Sequence, residues 1–473
     1  MDALCLKMSV LTDENFEGLK KTVERAMQEV GFAINNLTIL EAFKKAGAKV
    51  DFEKMRVRIA PELLWGLVGL APGSYRVAGM NGDAYEIGGG SVYKAAIVTD
   101  PFIADYPSGN MRKPRLRDVE LNTRIIQSQP DVCQVSLMDY PVEDVDGPSS
   151  RYRAQEAHLL NHAKHYSVWA TSYESFMEWM EVGNIISRGR PLKNSGLFSS
   201  AIAVLSPLTL TRDNCDILLE SLKHGFPLIP TVCPMAGSTA PYTFAGTLVQ
   251  GIAENLIVLC SAQLLNPGNP FAFLFSPSVT EMRKGRTLFY TVDKALWKIA
   301  AAEFAKRLGL PVHMETGGAL NSRYDMQGGA EGMLMSLSAL LSGADILAGS
   351  GSCLNAEGLS AEHILTHYSF LAAAEHMKKG YSCAELEKNL DSIREQGPRG
   401  NYLGDSLTLE LLRNPEFFSH PLFDESGETG GGMPMLERAH EEALRIDKDF
   451  VSPVPEDIAD GLRSYFGKKC RDL

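Results

Sequence analysis

Eight short apolar runs along the middle of the chain constrain its fold more than any other feature. They are rich in β-branched and small residues, which is typical of parallel strands buried on both faces. Helix-like stretches separate them. The runs lie at 91–98, 131–138, 165–172, 196–204, 227–234, 271–277, 311–317 and 344–351. Eight strands with intervening helices predict a (β/α)8 TIM barrel, an α/β fold, although a doubly wound sheet could be assembled from similar pieces.

The segments on either side of these runs predict two extensions. Residues 1–90 contain two stretches with helical spacing and then two alternating runs around Asn81-Gly82, the strongest short signal for a β-hairpin. Residues 381–473 are polar and have helical spacing. We therefore expect an N-terminal helical and hairpin extension over 1–90, the barrel core over 91–380, and a helical extension over 381–473 packed on the barrel.

Charge and composition narrow the class of partner. The net charge of −12 argues against nucleic acid or an anionic membrane surface. No secretory signal and no long, purely apolar run are recognisable, and the eight cysteines have no CxxC spacing. These features predict a cytoplasmic protein with reduced thiols and no membrane span. A symmetric homo-oligomer is the default expectation for a soluble enzyme of this size.

The common metal and nucleophile motifs are missing. His158, His162 and His165 occur in HLLNHAKH, and His363 and His367 are four residues apart, but neither group has an HExxH motif or a nearby cysteine pair. Structural histidines are therefore a better interpretation than a zinc site, and we expect no metal. The chain also has no GxSxG elbow, Walker loop or GxGxxG turn, which disfavours hydrolases, kinases and dehydrogenases.

In a TIM barrel the chemistry belongs at the C-terminal ends of the strands. Those ends are rich in glycine, serine and threonine here, which leaves room for a cavity. Nearby aromatic residues either pack the core or form a box for an organic cation. The candidate aromatic residues are Tyr93, Trp169, Phe198, Tyr242, Phe275 and Tyr324. Glu254, Glu315 and Glu331 could balance the charge of a cation or form surface pairs.

Five blocks of sequence carry a family resemblance. They are 71–79, 235–256, 263–270, 309–331 and 341–351. In combination they resemble the trimethylamine methyltransferase family of corrinoid-dependent methyltransferases. The resemblance implies a (β/α)8 barrel, a cytoplasmic protein, and methyl transfer from an amine to the cobalt of a separate corrinoid protein. It also implies that this chain binds no cofactor tightly, since the cognate corrinoid protein supplies the cobalamin.

The glycine-rich segment 309–331, GLPVHMETGGALNSRYDMQGGAE, contains the main departure from that family. The founding members act on trimethylamine and carry pyrrolysine in this loop; an ungapped count places that slot on Gly318. Without this electrophile, the chain is similar to the non-pyrrolysine branch, which includes glycine betaine methyltransferase. A quaternary ammonium already carries the charge that makes its amine a leaving group, so the enzyme needs positioning rather than acid–base chemistry.

The resemblance also suggests roles for the loop residues. Gly318 is expected to make room for substrate. Asp325, Gln327 and Glu331 match the family motif and either order the loop or touch polar groups of the substrate. The expected methyl donor is a betaine such as glycine betaine, proline betaine, carnitine or γ-butyrobetaine. Its carboxylate needs a cation, for which Arg323 is the best-placed candidate, with His313 behind it; otherwise Arg323 is a solvent-exposed charge.

Two alternative functions remain open from the sequence. One is a barrel lyase or aldolase acting on a small carbonyl compound, which would use Lys94 as its reactive lysine. The other is a non-catalytic, cation-binding relative that kept the barrel.

Overall fold

A barrel of eight parallel strands forms the centre of the protein. The computed structural model describes residues 6–138, 140–413, 416–427 and 431–473. The barrel strands, β1 to β8 in chain order, are Tyr93–Ile97, Val132–Ser136, His165–Val168, Phe198–Ala203, Leu228–Thr231, Phe273–Leu274, Val312–Glu315 and Ile346–Ala348. Each strand except β5 pairs with the next strand in the chain, and β8 pairs in parallel with β1.

The barrel closes between β5 and β6. Leu228 and Phe271 form a parallel bridge there, and the Ser276 N–H donates a hydrogen bond of 2.9 Å to the Val232 carbonyl. Each of the eight predicted apolar runs contains one barrel strand. The TIM-barrel prediction is therefore confirmed, and the doubly wound alternative is wrong because the sheet closes on itself.

One helix after each barrel strand covers the outside of the barrel. These helices are Leu116–Ser128, Ser149–Leu159, Tyr173–Ile186, Arg212–His224, Phe244–Leu265, Val292–Arg307, Met326–Leu341 and Ala361–Lys379. Polar residues begin several of them: the side chains of Ser172, Thr243 and Ser360 each accept a hydrogen bond from the backbone N–H three residues later. Among the described residues, Phe244–Leu265 alone is long and apolar enough to cross a membrane, and it is mostly buried, like a core helix.

The N-terminal extension consists of short elements and a hairpin. They are the helix Asp13–Arg25 with the π-helical turn Ala26–Val30, the strand Phe32–Ile34, the helix Leu37–Lys45, the strands Lys49–Asp51 and Arg56–Arg58, the helix Pro61–Val68, and the hairpin strands Ser74–Ala78 and Ala84–Gly88. The hairpin pairs Ala78 with Ala84 across the turn at Asn81-Gly82, which confirms the prediction.

The hairpin closes the N-terminal end of the barrel. The Ala78 N–H donates to the Gly196 carbonyl and the Met80 N–H to the Ala163 carbonyl, both at 2.7 Å, and these two carbonyls precede β4 and β3. Tyr75, Val77 and Ile87 of the hairpin pack in one cluster with barrel residues such as Ala95 and Cys133. A substrate can therefore reach the barrel interior only from the opposite, C-terminal end.

Short strands extend the loops at the C-terminal end. One small sheet contains Phe102–Asp105, Asn110–Arg112, Ser352–Cys353 and Gly358–Leu359, and another contains Met235–Ala236, Ser278–Glu281 and Arg286–Leu288. Thr209–Leu210 pairs with Phe32–Ile34, and Leu354–Ala356 is a 3-10 turn.

The chain ends in four helices, Leu386–Gln396, Ser406–Leu411, Met435–Asp449 and Glu456–Arg471. The last two bury Ala439, Ala443, Leu462 and Phe466 in the main hydrophobic core. The predicted boundaries near 90 and 380 lie between Gly88 and Tyr93 and between Lys379 and Leu386, and they remain predictions.

Candidate functional site

A cavity of about 210 Å³ opens at the C-terminal end of the barrel. Its lower part is formed by β1, β2 and the four strands β5 to β8, and its upper part by the loops that follow the strands. A larger groove of about 1020 Å³ lies outside the barrel between the helices Asp13–Arg25 and Phe244–Leu265, but Glu14 is the one charged residue among the described residues that line it. The barrel cavity, which has convergent polar groups, is the candidate site.

Aromatic rings form the upper wall of the cavity. They belong to Tyr140, Trp169, Phe289 and Tyr290. Trp169 directly follows β3, and Phe289 and Tyr290 lie in the loop after β6, with their rings perpendicular and 5.0 Å apart. The electron-rich face of such rings attracts cations, best when water is excluded.

Two carboxyl groups, from Asp100 and Glu315, also line the cavity. Asp100 follows β1, and Glu315 is the last residue of β7. Burial, together with the negative charge of Glu315, raises the pKa of Asp100 to about 8. Asp100 is therefore largely protonated at neutral pH, and it can ionise if a positive charge enters the cavity.

Two buried lysines stand behind Glu315. The Lys294 Nζ lies 2.7 Å from Glu315 Oε2, 3.1 Å from the Ser276 hydroxyl and 3.0 Å from the centre of the Phe289 ring. The Lys298 Nζ donates to the backbone carbonyl of Glu315 at 2.6 Å. Burial lowers the pKa of both lysines, that of Lys298 to about 7. Although burial alone would raise it, the two ammonium groups hold the pKa of Glu315 below its ordinary value, so Glu315 is ionised.

The floor of the cavity contains polar groups without partners. The Gln134 Oε1 and both ring nitrogens of His313 accept or donate no hydrogen bond among the described residues, and both side chains are buried. The hydroxyls of Thr231 and Ser350, which also line the cavity, are likewise unpartnered there. Burial lowers the pKa of His313 to about 4, so its ring is neutral. Buried polar groups normally have partners, which indicates that a ligand or water completes this floor.

Gly318 lies directly behind the aromatic wall. Its φ of +103° is unfavourable for any residue with a side chain, and a Cβ there would lie 2.2 Å from two ring atoms of Tyr290. The prediction that Gly318 makes room for substrate is therefore corrected: the space beside its α-carbon is filled by the Tyr290 ring. Tyr290 packs on Ala295 and Met335, which fixes the ring in that position.

Of the predicted aromatic residues, the structure brings Trp169 into the cavity, together with His313 and Glu315. Tyr93 is at the other end of the barrel, where its ring meets Tyr85 of the hairpin edge-on at 5.3 Å. Tyr93 therefore closes the bottom of the barrel and does not contact the cavity.

Three other predicted aromatic residues do not line the cavity. Phe198 lies against Gly183 and Phe275 lies against Gly251, so both rings point outward at the surrounding helices. Tyr242 lies in the loop after β5 and is 62% exposed. The alternation of side chains along a strand decides which face a residue takes, and this places Phe198 and Phe275 in the barrel–helix layer.

The predicted residues of the loop after β7 also lie away from the cavity. Arg323 is exposed and forms an ion pair of 2.8 Å with Asp325, which agrees with the alternative that Arg323 is a solvent-exposed charge. Asp325 caps the helix Met326–Leu341 by accepting a hydrogen bond of 3.1 Å from the Gly328 N–H. The Tyr324 hydroxyl bonds to the Ala104 carbonyl at 3.0 Å and to the Ser360 hydroxyl at 2.8 Å. These contacts hold the loop but do not reach a ligand in the cavity.

Gln327 and Glu331 order the same loop. The Gln327 Nε2 donates to Glu331 Oε1 at 2.8 Å, and Glu331 Oε2 accepts the Leu320 N–H at 2.8 Å. Asp325, Gln327 and Glu331 therefore order the loop, which is the first of the two roles expected for them. Glu254 is also structural, since its carboxylate accepts hydrogen bonds from the Ser206 hydroxyl and the Leu208 N–H at 2.7 and 3.0 Å.

Sequence reasoning missed Asp100, Gln134 and Tyr290. Asp100 could have been found because an acid directly after a barrel strand lies at the catalytic face. Gln134 could also have been found, because a polar residue within an apolar run indicates a functional or structural role for its side chain. Tyr290 lies in a loop after a short strand, and nothing in the sequence connects it with Gly318.

Lys94 and the histidine groups have other partners. The Lys94 Nζ pairs with Asp131 and, at 3.3 Å, with Glu375, and it does not line the cavity. His158 and His162 are buried side by side with ring centres 4.3 Å apart. Among the residues that the structure describes, no group of three or more His, Cys, Asp or Glu side chains is placed to hold a metal ion.

Comparisons with known proteins place the chain in one family. The model of the trimethylamine methyltransferase (MTTB) family matches residues 4–473. The chain is 25% identical to a glycine betaine methyltransferase of Desulfitobacterium hafniense strain Y51, over 100% of this chain and 99% of that protein. It is 24% identical to the trimethylamine methyltransferase MttB of D. hafniense DCB-2, over 96% and 92% of the two chains. The crystal structure of Methanosarcina barkeri monomethylamine methyltransferase shares the fold, with a TM-score of 0.53 at 14% identity, covering 94% of this chain and 88% of that one.

The packing of Tyr290 on Gly318 can be tested by a double-mutant cycle. Gly318→Ala is expected to lower the free energy of unfolding by about 2–4 kcal/mol, because it adds overpacking to backbone strain. In a Tyr290→Ala background the same change should cost only the strain, about 1–2 kcal/mol. Urea unfolding measures both.

Gly329→Ala is the matched control, since no heavy atom lies within 4 Å of its added Cβ. It lies within a helix, so the change should be neutral or slightly stabilising. An equal cost of Gly318→Ala in both backgrounds would show that the Tyr290 ring does not occupy this space.

Proposed function

The chain belongs to the trimethylamine methyltransferase family and is a methyltransferase, and we propose that it transfers a methyl group from a quaternary amine to the Co(I) corrinoid of a separate protein. The observation that carries this proposal is the cavity at the barrel mouth, where four aromatic rings and two carboxyl groups surround a small space. Aromatic faces and carboxylates attract an organic cation, including one that has no N–H to donate.

The position of Tyr290 supports a quaternary substrate. A loop side chain at position 318, where trimethylamine methyltransferases of the family carry pyrrolysine, would collide with its ring. This chain therefore offers no electrophile from that loop to capture a neutral amine. A quaternary ammonium needs no such capture, because its amine is already a leaving group.

The protein's contribution is then positioning. The Co(I) corrinoid supplies a strong nucleophile that accepts the methyl group, while the C–N electron pair stays on the departing tertiary amine. The aromatic wall holds the ammonium with one methyl toward the mouth and excludes water. The positive charge of the substrate disappears during the transfer, so a strong counter-ion would stabilise the ground state more than the transition state. The faces of the aromatic rings carry no net charge and therefore suit this requirement.

The rim of the cavity suits a protein partner. Four large apolar side chains in the segments that follow β4, β5, β6 and β7 are exposed: Leu205 by 58%, Tyr242 by 62%, Met282 by 62%, and Met326, the first residue of its helix, by 92%. Exposed apolar residues on one face mark interaction surfaces. We assign this rim to the docking of the corrinoid protein.

The betaines expected from the sequence are the first substrates to test, since one relative is named as a glycine betaine methyltransferase. The lyase or aldolase alternative is disfavoured because Lys94 is ion-paired and outside the cavity lining. A non-catalytic, cation-binding relative would bind the same ligands but transfer no methyl group.

The direct experiment mixes the protein with the reduced cognate corrinoid protein and a panel of quaternary amines. We expect the absorbance spectrum to change from that of Co(I) to that of the methylated corrinoid, with a tertiary amine appearing in equal amount by mass spectrometry. Trimethylamine should give no change. A spectrum that responds to trimethylamine but to no quaternary amine would contradict the proposal.

Cation binding should depend on pH through Asp100. Because its pKa is about 8 in the empty cavity, a bound cation must expel a proton at lower pH. The affinity for tetramethylammonium should therefore rise from pH 6 to pH 8, by up to about tenfold per pH unit, and level off above. Isothermal titration calorimetry measures this, and proton release appears as a heat that depends on the buffer.

Asp100→Asn is the control for this pH dependence. Lys298, with a pKa of about 7, titrates in the same range and in the same direction, because it loses a positive charge as the pH rises. Asp100→Asn should therefore reduce the slope but leave the part due to Lys298. An unchanged slope would mean that Asp100 does not respond to the ligand.

The docking rim can be tested by charge substitution. Met326→Asp is expected to raise the KM for the corrinoid protein at least about fivefold, because the exposed thioether no longer packs against the partner. The Kd for tetramethylammonium should not change. Val451→Asp, equally apolar and 85% exposed, is the control because it precedes Ser452, which bonds to Leu160 on the opposite side of the barrel. Equal effects of both substitutions on the KM would argue against the rim.

A further inference from the structure

We infer that Gln134 and His313 form a subsite for the tail of the substrate, and that this subsite takes an uncharged group, a hydroxyl or an amide, in preference to a carboxylate. The inference rests on the proposed function, since it concerns the same cavity and the same quaternary ammonium. It separates the substrates of this chain from betaines by the chemistry of the tail.

The position of the two residues defines the orientation of the substrate. Gln134 is in the middle of β2, where it pairs with Ala95, and His313 is the second residue of β7, between Leu274 and Ile346. Both therefore lie deeper in the barrel than Asp100 and Trp169, which follow the ends of their strands. The reacting methyl group must face the open mouth, so the tail points down to Gln134 and His313.

The unpartnered atoms of these side chains show what the tail must offer. Gln134 is 3% exposed and His313 is 4% exposed, and Gln134 Oε1, His313 Nδ1 and His313 Nε2 have no partner among the described residues. A neutral imidazole has one donor and one acceptor, and an amide has both kinds of group. A hydroxyl or amide tail, which both donates and accepts, can satisfy the two side chains together.

The charges around the floor disfavour a carboxylate tail. Among the described residues that line the cavity there is no lysine or arginine, and the nearby Lys294 forms an ion pair of 2.7 Å with Glu315. Arg323, the expected partner of a carboxylate, is exposed on the outer loop and paired with Asp325. His313 stays neutral because burial depresses its pKa. A carboxylate would thus be buried without its own cation, in a cavity that already contains Glu315.

Three small ligands test the inference: choline, which has a hydroxyl tail, glycine betaine, which has a carboxylate tail, and tetramethylammonium, which has none. Their Kd values are measured by calorimetry on the full chain near neutral pH. We expect choline to bind the wild type at least about tenfold more tightly than either of the other two.

Substitutions of Gln134 and His313 then test whether these two residues cause the preference for choline. Gln134→Met should lower the affinity for choline at least about fivefold and leave that for tetramethylammonium unchanged. His313→Leu gives the same test if Gln134→Met does not fold, as judged by its thermal melting. Ser200→Ala is the matched control, because its hydroxyl accepts a hydrogen bond of 2.8 Å from Ser221 on the helix side of β4. It should change neither affinity.

The outcomes separate the two proposals. Binding of all three ligands with glycine betaine as tight as choline, or equal losses for choline and tetramethylammonium in Gln134→Met, would overturn the subsite and leave the methyltransfer proposal standing. Failure of all three ligands to bind would count against the proposed function itself, and the subsite would fall with it.

Discussion

The contact between the Tyr290 ring and the α-carbon of Gly318 is the constraint on which the rest of the site depends. The ring can occupy this position only because residue 318 has no side chain, and the φ of +103° there suits glycine. The ring in turn forms part of the aromatic wall, with Phe289 beside it and Lys294 behind. A side chain at position 318 and this wall cannot occupy the same space, so the shape of the cavity depends on this glycine.

A buried ion pair and its hydrogen bonds hold the wall of the cavity in place. Lys294 is buried and Glu315 is partly buried, and such a pair is tolerated only when geometry and further hydrogen bonds offset the loss of water. Ser276 and the Phe289 ring complete the surroundings of Lys294, and Lys298 holds the backbone of Glu315. Burial, together with the negative charge of Glu315, raises the pKa of Asp100 and favours its protonated form. Two carboxyl groups in one cavity therefore differ in charge, and one of them remains free to respond to a cation.

The sequence predicted the scaffold better than the site. Buried parallel strands appear in the sequence as apolar runs, and the Asn81-Gly82 turn predicts a hairpin. The barrel and its hairpin could therefore be recognised. The direction of a side chain could not: Phe198 and Phe275 were correctly placed on strands or at their ends, yet they face the helices. The position of Arg323 in a loop suggested that it binds a ligand, but its guanidinium group forms an ion pair with the carboxylate of Asp325.

Contacts between segments that are distant in the sequence were the second part of the site that the sequence could not predict. Tyr290 and Gly318 meet only after the barrel has formed, and no local pattern records their distance. Trp169 and His313 were found because each is at or beside a strand whose end could be recognised. The sequence shows Gln134 only as a polar residue within an apolar strand. Its importance becomes visible in the folded protein, where its Oε1 atom is buried without a hydrogen-bond partner among the described residues.

A crystal structure with a bound quaternary ammonium ion tests the central claim most directly. The account predicts density for the ammonium inside the barrel, between the Trp169 ring and the carboxyl groups of Asp100 and Glu315, with one methyl group toward the mouth. Density for the ligand in the groove between the helices Asp13–Arg25 and Phe244–Leu265, with an empty barrel cavity, would contradict it.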